Sequence, residues 1–576
     1  MSNSFFTSLG NSFSILSKQQ KAKFTRLSIG LLFNTILELF SLVSFFPVLL
    51  LVLNQNNIQD NEIINRIYIL FNFSSYKEFT ISAILAVLFF FLLKTLFSYW
   101  ILKKKANYKY QLSTELIKSV YLQLFQSNQI QNLGNHLNNI ISIPFSYVNQ
   151  IIGSLFDLIT RIVLIILVFS GLASFDPQIF IYLLIIMAPA ILISFLHQKK
   201  SVKEIRSQLK SFRPAILQKA LEVAEGKEEI LLSGNKSKFD EAFSKVNKVF
   251  NDSTARLITA INSSPKTIEL IAISGICVLF FYFIFTEKAG EDIFLTLSVY
   301  TVASYKLIPS LNGLNVSYLN LKAHFFATEI LGEIKKGESW EEENYQSEPI
   351  TFNKDLELRN VSFSYPDSTF SLNNINLKIQ KGKKVAIIGE SGSGKSTIIQ
   401  ILLRFLNETS GEILVDSVRL DKQRKHSWWK QVSYVPQSVF IFEGSIKENI
   451  SMQSEISDKE AQKVINNLGL DEMIHSFPNG LNSIIKEKGG NISTGQKQRL
   501  GIARALLQDR EIVIFDEVTS NLDEVNQNLV IDTILRASNL GKTLIFVTHQ
   551  KEIMEVCDLV FEIKSDGSTE IIELKQ

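Results

Sequence analysis

The sequence predicts a two-part, multi-domain chain: an all-α domain of six transmembrane helices with long cytoplasmic helical extensions, followed by an α/β domain. Three observations predict it. Residues 1–330 hold six apolar stretches, each near the length of about 20 residues that a helix needs to cross a bilayer. Residues 351–576 alternate short apolar strand-like runs with helical patterns, as βαβ units do. Between the strand-like Val385-Ala386-Ile387-Ile388 and the helix-like run from Thr397 to Leu402 lies Gly389-Glu390-Ser391-Gly392-Ser393-Gly394-Lys395-Ser396. It fits the phosphate-binding pattern G-x-x-x-x-G-K-[ST] in the strand–loop–helix context the pattern requires.

At 576 residues the chain exceeds one ordinary core. Its composition, 46% hydrophobic and 20% charged, averages a Phe/Leu/Ile-rich first part with a second part patterned like a soluble domain. A net charge of +3 gives no reason to expect a nucleic-acid partner. The two cysteines, Cys277 and Cys557, fall in different halves, so neither a disulfide framework nor a thiol metal site is expected. The first residues are polar and the first long apolar run follows Lys18, Lys21, Lys23 and Arg26, so no cleavable signal peptide is expected.

The spans are placed near residues 27–53, 79–102, 151–173, 178–196, 268–286 and 293–318. Core helices of a soluble protein would be shorter and more often interrupted. Basic residues flank one side: Lys18 to Arg26, Lys103-Lys104-Lys105, and Lys199-Lys200 with Lys203. The opposite loops carry Asp60, Glu62, Asp176, Glu287, Glu291 and Asp292. The positive-inside rule then puts both termini and the second domain in the cytoplasm of a multi-pass cell-membrane (inner or plasma membrane) protein. Residues 108–147 and 202–264 are too long for simple turns and read as helices that continue into the cytosol and double back, turning near Leu133-Gly134 and Gly234-Asn235. Residues 57–73 are apolar enough to lie at the interface as a short helix.

Ionisable residues within spans are costly and therefore informative. Asp157 and Arg161, four apart, are expected to pair. Lys94, Lys266 and Lys306 lie on three different helices. Facing a shared cavity they would offer a cationic lining for an anionic or phosphate-bearing substrate; the competing reading is snorkelling, or pairing with Glu38 and Glu269. Pro47 and Pro309 are expected to bend their helices.

Residues 331–350 read as a linker, acidic and polar, into the second domain of residues 351–576. Strands are expected at Leu356–Leu358, Leu377–Ile379, Lys384–Ile388, Ser433–Val435, Glu511–Phe515 and Thr543–Val547. The loop residues Gly389, Ser391, Gly392, Ser393, Gly394, Lys395, Ser396 and Thr397 are the candidate nucleotide-phosphate cradle, with Lys395 reaching the outer phosphates. This is the P-loop NTPase arrangement. The apolar Ile512-Val513-Ile514-Phe515 ends in Asp516-Glu517. Asp516 is the candidate Mg²⁺ ligand beside Ser396, and Glu517 is placed to orient or deprotonate the attacking water.

With these motifs the whole chain resembles the ATP-binding cassette (ABC) superfamily. The carriers, in order, are Tyr365, the glycine loop, Gln437 in Tyr434-Val435-Pro436-Gln437, Ile492-Ser493-Thr494-Gly495-Gln496 with Lys497-Gln498-Arg499, Asp516-Glu517, Ser520-Asn521-Leu522-Asp523 and His549. The resemblance implies an ABC ATPase domain that uses ATP and Mg²⁺. By the same resemblance Tyr365 would stack on adenine, and Gln437 would sense the γ-phosphate and Mg²⁺. Ser493, Gly495 and Gln496 would close on ATP held by a second copy, Asp523 would lie at the dimer seam, and His549 would hold the γ-phosphate. Glu487 fits the exporter-type loop before Gly489-Gly490. One departure is Thr494, where the family has glycine; a Cβ there is expected to crowd the approach to ATP and slow turnover. Intact Lys395, Glu517 and His549 favour a homodimer.

Six spans before one ATPase domain look like an exporter-type half-transporter. The membrane half is similar to exporters that flip lipid-linked oligosaccharides, on Ile36-Leu37-Glu38-Leu39-Phe40 with Pro47, Lys94, Pro265-Lys266 and Lys306-Leu307-Ile308-Pro309-Ser310. Gly313 and Asn315 stand where that group often has a further basic residue. The expected substrate is an amphipathic, diphosphate-bearing lipid in contact with membrane lipid. Export of peptides or hydrophobic drugs is the alternative, and an ATP-gated regulator a third reading.

Overall fold

The computed structural model describes residues 10–123, 132–336 and 348–573, apart from 45–47, 49, 50, 52–65, 67, 72, 74, 176, 287–289, 366–370, 453–455, 521 and 565–568. The chain forms two compact units, Met1–Trp340 and Glu341–Gln576. Pro47, most of the proposed interfacial segment 57–73 and most of the linker lie outside the described residues.

The first unit is helical. Its principal elements are α1 (Lys18–Val43), α2 (Tyr76–Leu122), α3 (Gly153–Phe175), α4 (Pro177–Glu225), α5 (Lys227–Leu232), α6 (Lys236–Thr286) and α7 (Gly290–Lys336). Local sequence starts them: Ser17 and Gln20 exchange side-chain-to-backbone hydrogen bonds ahead of α1 (2.8 and 3.2 Å), and Ser75 caps α2 by accepting from the Glu78 N–H. α4, with 49 residues, and α6, with 51, are each about 75 Å long at 1.5 Å per residue. A bilayer core of about 30 Å uses less than half of that, so the rest extends beyond it. The expected doubling back is present: α4 ends at Glu225, the short α5 follows, and a turn at Gly234 leads into α6.

α2 carries an apolar surface suited to lipid. Leu88, Phe89 and Leu96 are each about three-fifths exposed, a surface that water disfavours and hydrocarbon does not. The packed core lies elsewhere. Tyr147, Val148, Ile151 and Ile152 are fully buried against Leu319, Leu321 and Ala323 of α7. They form a π-helical segment, Tyr147–Ile152, which follows another at Asn138–Ser142; both lie in the run from Leu133 that leads into α3. Pro144 sits between the two, where its missing N–H interrupts the α-helical ladder.

The second unit is α/β. Its four-stranded sheet runs in the order β2 (Ser371–Gln380), β1 (Asp355–Ser364), β4 (Ser410–Val415) and β5 (Val418–Arg419), antiparallel throughout. The six-stranded sheet runs β12 (Thr569–Glu573), β11 (Leu559–Ile563), β3 (Lys384–Gly389), β10 (Thr543–Val547), β9 (Ile512–Asp516) and β6 (Val432–Val435). It is parallel except for the β12 edge. A short ribbon pairs β7 (Gly444–Ser445) with β8 (Ile484–Ile485).

Side chains alternate across the parallel sheet. Ile512 and Ile514 of β9, with Ile545 and Val547 of β10, face one core; Val513, Phe515, Leu544 and Phe546 face the other. Burial on both faces is why these strands read as unbroken apolar runs. All six strands expected from sequence are present, while β4, β5, β7, β8, β11 and β12 are added.

Candidate functional site

The carboxyl ends of β3, β9 and β10 converge, because in-register pairing sets Val547 opposite both Asp516 and Ile387. That edge of a parallel sheet is where α/β folds place ligands. β3 delivers the glycine loop, β9 delivers Asp516 and Glu517, and β10 leads through Thr548 to the exposed His549.

The loop's shape depends on its glycines. A side chain on Gly389 would collide with the Ile563 carbonyl oxygen and come within 2.6 Å of Ser393 Oγ. Gly394, with φ of 103°, turns the chain into α8 (Lys395–Leu402). Lys395 is buried, its Nζ donating to the carbonyls of Gly389 (2.8 Å) and Glu390 (2.9 Å) and standing 3.9 Å from Glu517 Oε1. Ser393 Oγ is buried without a hydrogen-bond partner among the described residues, the kind of donor a phosphate oxygen satisfies. Ser391, Gly392 and Ser396 are solvent-exposed around it. Thr397 Oγ1 is 3.4 Å from the Tyr365 hydroxyl, and the Tyr365 ring is set edge-on to Phe363.

Asp516 is buried, and burial raises its carboxyl above the usual carboxylate range, with Glu517 acting in the same direction. The Tyr434 hydroxyl, donating to Oδ2 at 3.0 Å, and Lys395 act the other way. Glu517 adopts φ of 44°, held by its N–H to the Val547 carbonyl (3.0 Å) and by the Ser520 hydroxyl donating to its own carbonyl (2.7 Å). Gln437 Nε2 donates to Glu517 Oε2 (3.3 Å) and Ser520 Oγ (3.1 Å), which leaves its amide oxygen for a hard cation. The donor set of Ser396 hydroxyl, Asp516 carboxylate and Gln437 amide oxygen fits Mg²⁺ chemically. Tyr434 and Ser520 stand in motifs noted from sequence but were given no role there. Only the pairing of β6 with β9 brings Tyr434 to Asp516.

The second motif group forms its own array. Ser493 caps α9 (Thr494–Leu507): its Oγ accepts from the Gln496 N–H (3.2 Å), and Gln496 Oε1 accepts from the Ser493 N–H (2.8 Å). Thr494 occupies the first helical position with its side chain exposed. Within the subunit it crowds nothing; the crowding expected from sequence concerns nucleotide held by a second copy. The position that tolerates no side chain is Gly495, where a Cβ would lie 2.7 Å from Asn526 Oδ1. Asn526, on α10 (Glu524–Ser538), donates through Nδ2 to Asp523 Oδ1 at 2.6 Å. That hydrogen bond holds the exposed Asp523 carboxyl below its ordinary range.

In the helical unit the expected Asp157–Arg161 pair is replaced. Asp157 pairs with Lys105 of α2 at 2.6 Å, because Lys105 is largely buried and would otherwise be an unpaired cation between helices. Arg161 lies along α7 instead, in the space left by Gly313, where a Cβ would meet its Nε at 2.8 Å. Each of the three lysines has its own immediate partner. Lys306 is ion-paired with Glu38 across α7 and α1, and Lys266 with Glu269 one turn along α6 (3.5 Å). Lys94 sits with its Nζ 5.9 Å from the Phe91 ring centre. The hollow at Lys266 is lined by Glu269, Leu270, Ile273, Ser274 and Cys277 of the same helix.

Comparison with known proteins agrees with this geometry. The ABC transporter family model matches residues 372–520, which span the glycine loop, the α9 motif and Asp516-Glu517. The chain is similar to the ATP-dependent lipid A-core flippases of Photorhabdus laumondii (31% identity over 394 residues) and Escherichia coli K12 (30% over 393). Each match covers 67% of this chain and 66% of the relative, so the chain spans just under two thirds of those proteins' length. The fold is similar to that of a bacterial Atm1-family ABC exporter with ATP bound, with a TM-score of 0.76, 17% identity and 94% of each chain covered. Residues 372–520 are thus an ABC transporter family domain, and the chain as a whole has the fold of an ABC exporter, with a helical unit ahead of that domain.

Proposed function

We propose that two copies of this chain form an ATP-driven exporter that moves an amphipathic glycolipid, a lipid-linked oligosaccharide or a related lipid, by alternating access. The observation that carries the reading is the meeting of Lys395, Asp516, Glu517 and Gln437 at one sheet edge, on a chain whose other half is long helices with exposed apolar surface. The lipid A-core flippases to which the chain is similar act, by their names, on a glycolipid, and that supports the substrate class.

In this mechanism the glycine loop and Lys395 hold the ATP phosphates and Tyr365 takes the adenine. Ser396, Asp516 and Gln437 would hold Mg²⁺, which supplies charge neutralisation between the outer phosphates. Glu517 orients and deprotonates the attacking water, and His549 holds the γ-phosphate. Ser493, Gly495 and Gln496 close over nucleotide on the second copy, with Asp523 at the seam. Both termini and the ATPase domain face the cytoplasm of a cell membrane.

The lipid tail stays in hydrocarbon while the charged headgroup crosses between helices, where Lys94, Lys266 and Lys306 are the candidate contacts. One observation favours the alternative of peptides or hydrophobic drugs: Glu38 and Glu269 already neutralise two of these lysines. Reconstitution in liposomes separates the two. Stimulated ATP hydrolysis and flipping are expected with diphosphate-linked saccharide lipids; a response to peptides or dyes alone would overturn the glycolipid assignment.

A further inference from the structure

Tyr434 stands three residues before Gln437, on the strand that borders β9. In the parallel pairing of β6 with β9, Tyr434 lies opposite Ile514. Side chains two apart on a strand share a face, so Tyr434, Ile514 and Asp516 all project to the same side of the sheet. The Tyr434 ring packs against the core that contains Ile514, and its hydroxyl donates to Asp516 Oδ2 at 3.0 Å. The ring is thus anchored at its base while its polar tip touches one oxygen of the candidate metal-binding carboxylate.

We propose that Tyr434 is a positioning residue for the divalent cation: by donating to Oδ2 it fixes the plane of the Asp516 carboxylate and presents Oδ1 toward Ser396. The arrangement also divides labour. Asp516 and Glu517 are adjacent carboxylates, and Lys395 approaches Glu517 to 3.9 Å while holding two loop carbonyls. A neutral donor can orient Asp516 without adding a second cation that would compete with the metal for it. Because Gln437 leaves the same strand and contacts Glu517, a single strand end aligns both the metal ligand and the residue assigned to the water.

This inference rests on the assignment of Asp516 to the metal, so the test reads the two separately. The full-length protein in detergent is titrated with Mg²⁺ while binding of a fluorescent ATP analogue is followed, beside a control in EDTA. Phenylalanine keeps the ring in the core. Tyr434→Phe is expected to raise the half-saturating Mg²⁺ concentration about three- to tenfold, the net worth of one ordinary hydrogen bond, with metal-free nucleotide affinity unchanged. Adding Tyr434→Phe to Asp516→Asn should then produce no further shift. An unchanged Mg²⁺ requirement in Tyr434→Phe, where Asp516→Asn alone shifts it, would overturn the positioning role and leave the metal assignment standing. Equal loss of binding with and without metal would assign the hydroxyl to general packing, and also overturn it. No shift even in Asp516→Asn would remove both.

Discussion

The Cβ that Gly495 lacks would stand 2.7 Å from Asn526 Oδ1, while the side chain of Thr494, one residue earlier, is exposed. The close approach of α9 to α10 therefore depends on the second position of the motif. Gly495→Ala should push Asn526 off Asp523 and lower ATP hydrolysis at least about tenfold, a loss near 1.4 kcal/mol. Thr494→Gly should change stability by less than about 0.5 kcal/mol, the difference in helix propensity, and hydrolysis by less than about twofold. Steady-state ATPase rates and thermal midpoints of both variants check this. Several-fold faster turnover in Thr494→Gly would show that the threonine crowds the partner's nucleotide after all.

Glu517 is held at φ of 44° by backbone contacts that a glutamine keeps. Glu517→Gln should bind ATP with unchanged affinity, lose hydrolysis about 10²- to 10⁴-fold, and accumulate as an ATP-trapped dimer on size exclusion. Undiminished turnover would refute its role with the water.

The Glu38–Lys306 pair joins the first and last long helices. Lys306→Leu strands a half-buried carboxylate, and a cost of about 2 kcal/mol is expected, below that of a fully buried pair because Glu38 is 34% exposed. Glu38→Leu together with Lys306→Leu should recover most of that stability in a detergent melt. Transport decides the rest: flipping that stays lost in the stable double variant makes Lys306 a headgroup contact, and restored flipping makes the pair structural.

Asp416 provides a pH-dependent term in the ATPase domain. Burial acts to raise its carboxyl, but the N–H groups of Lys354, Asn353 and Asp355 donate to it and hold it below the ordinary carboxylate range. A carboxyl depressed in the folded state contributes stability above its unfolded value, about pH 4, and that contribution is lost as pH falls through the folded value. Asp416→Asn should therefore lower the melting temperature at pH 7, and the gap from the parent should narrow as pH falls below about 4. Asparagine tolerates the φ of 51°, so backbone strain does not confuse the comparison. Parallel curves from pH 7 to pH 3 would show that the charge contributes nothing.

The division of the chain, the doubly buried strands and the glycine loop were legible in sequence for one reason. Each is written in local periodicity or in a contiguous motif, and local sterics decide it. Asp516 and Glu517 follow one apolar run and the glycine loop follows another, so each motif's place at a strand end was readable, while their shared edge came from the pairing of β3, β10 and β9. Edge strands such as β12 were not, because one exposed face breaks the apolar pattern.

Everything that depended on a partner from another element was decided by the tertiary structure. Sequence spacing made Asp157 and Arg161 neighbours on one helix, but helix packing gave Asp157 to Lys105 and laid Arg161 over Gly313. The demand for a glycine at Gly495 within the subunit came from the crossing of α9 and α10, which the motif did not show. Tyr434 acquired a role only when β6 paired with β9. A sequence sets which charges and shapes a chain has; which of them meet is set by packing, because an ion pair or a close contact needs two surfaces brought within a few ångströms.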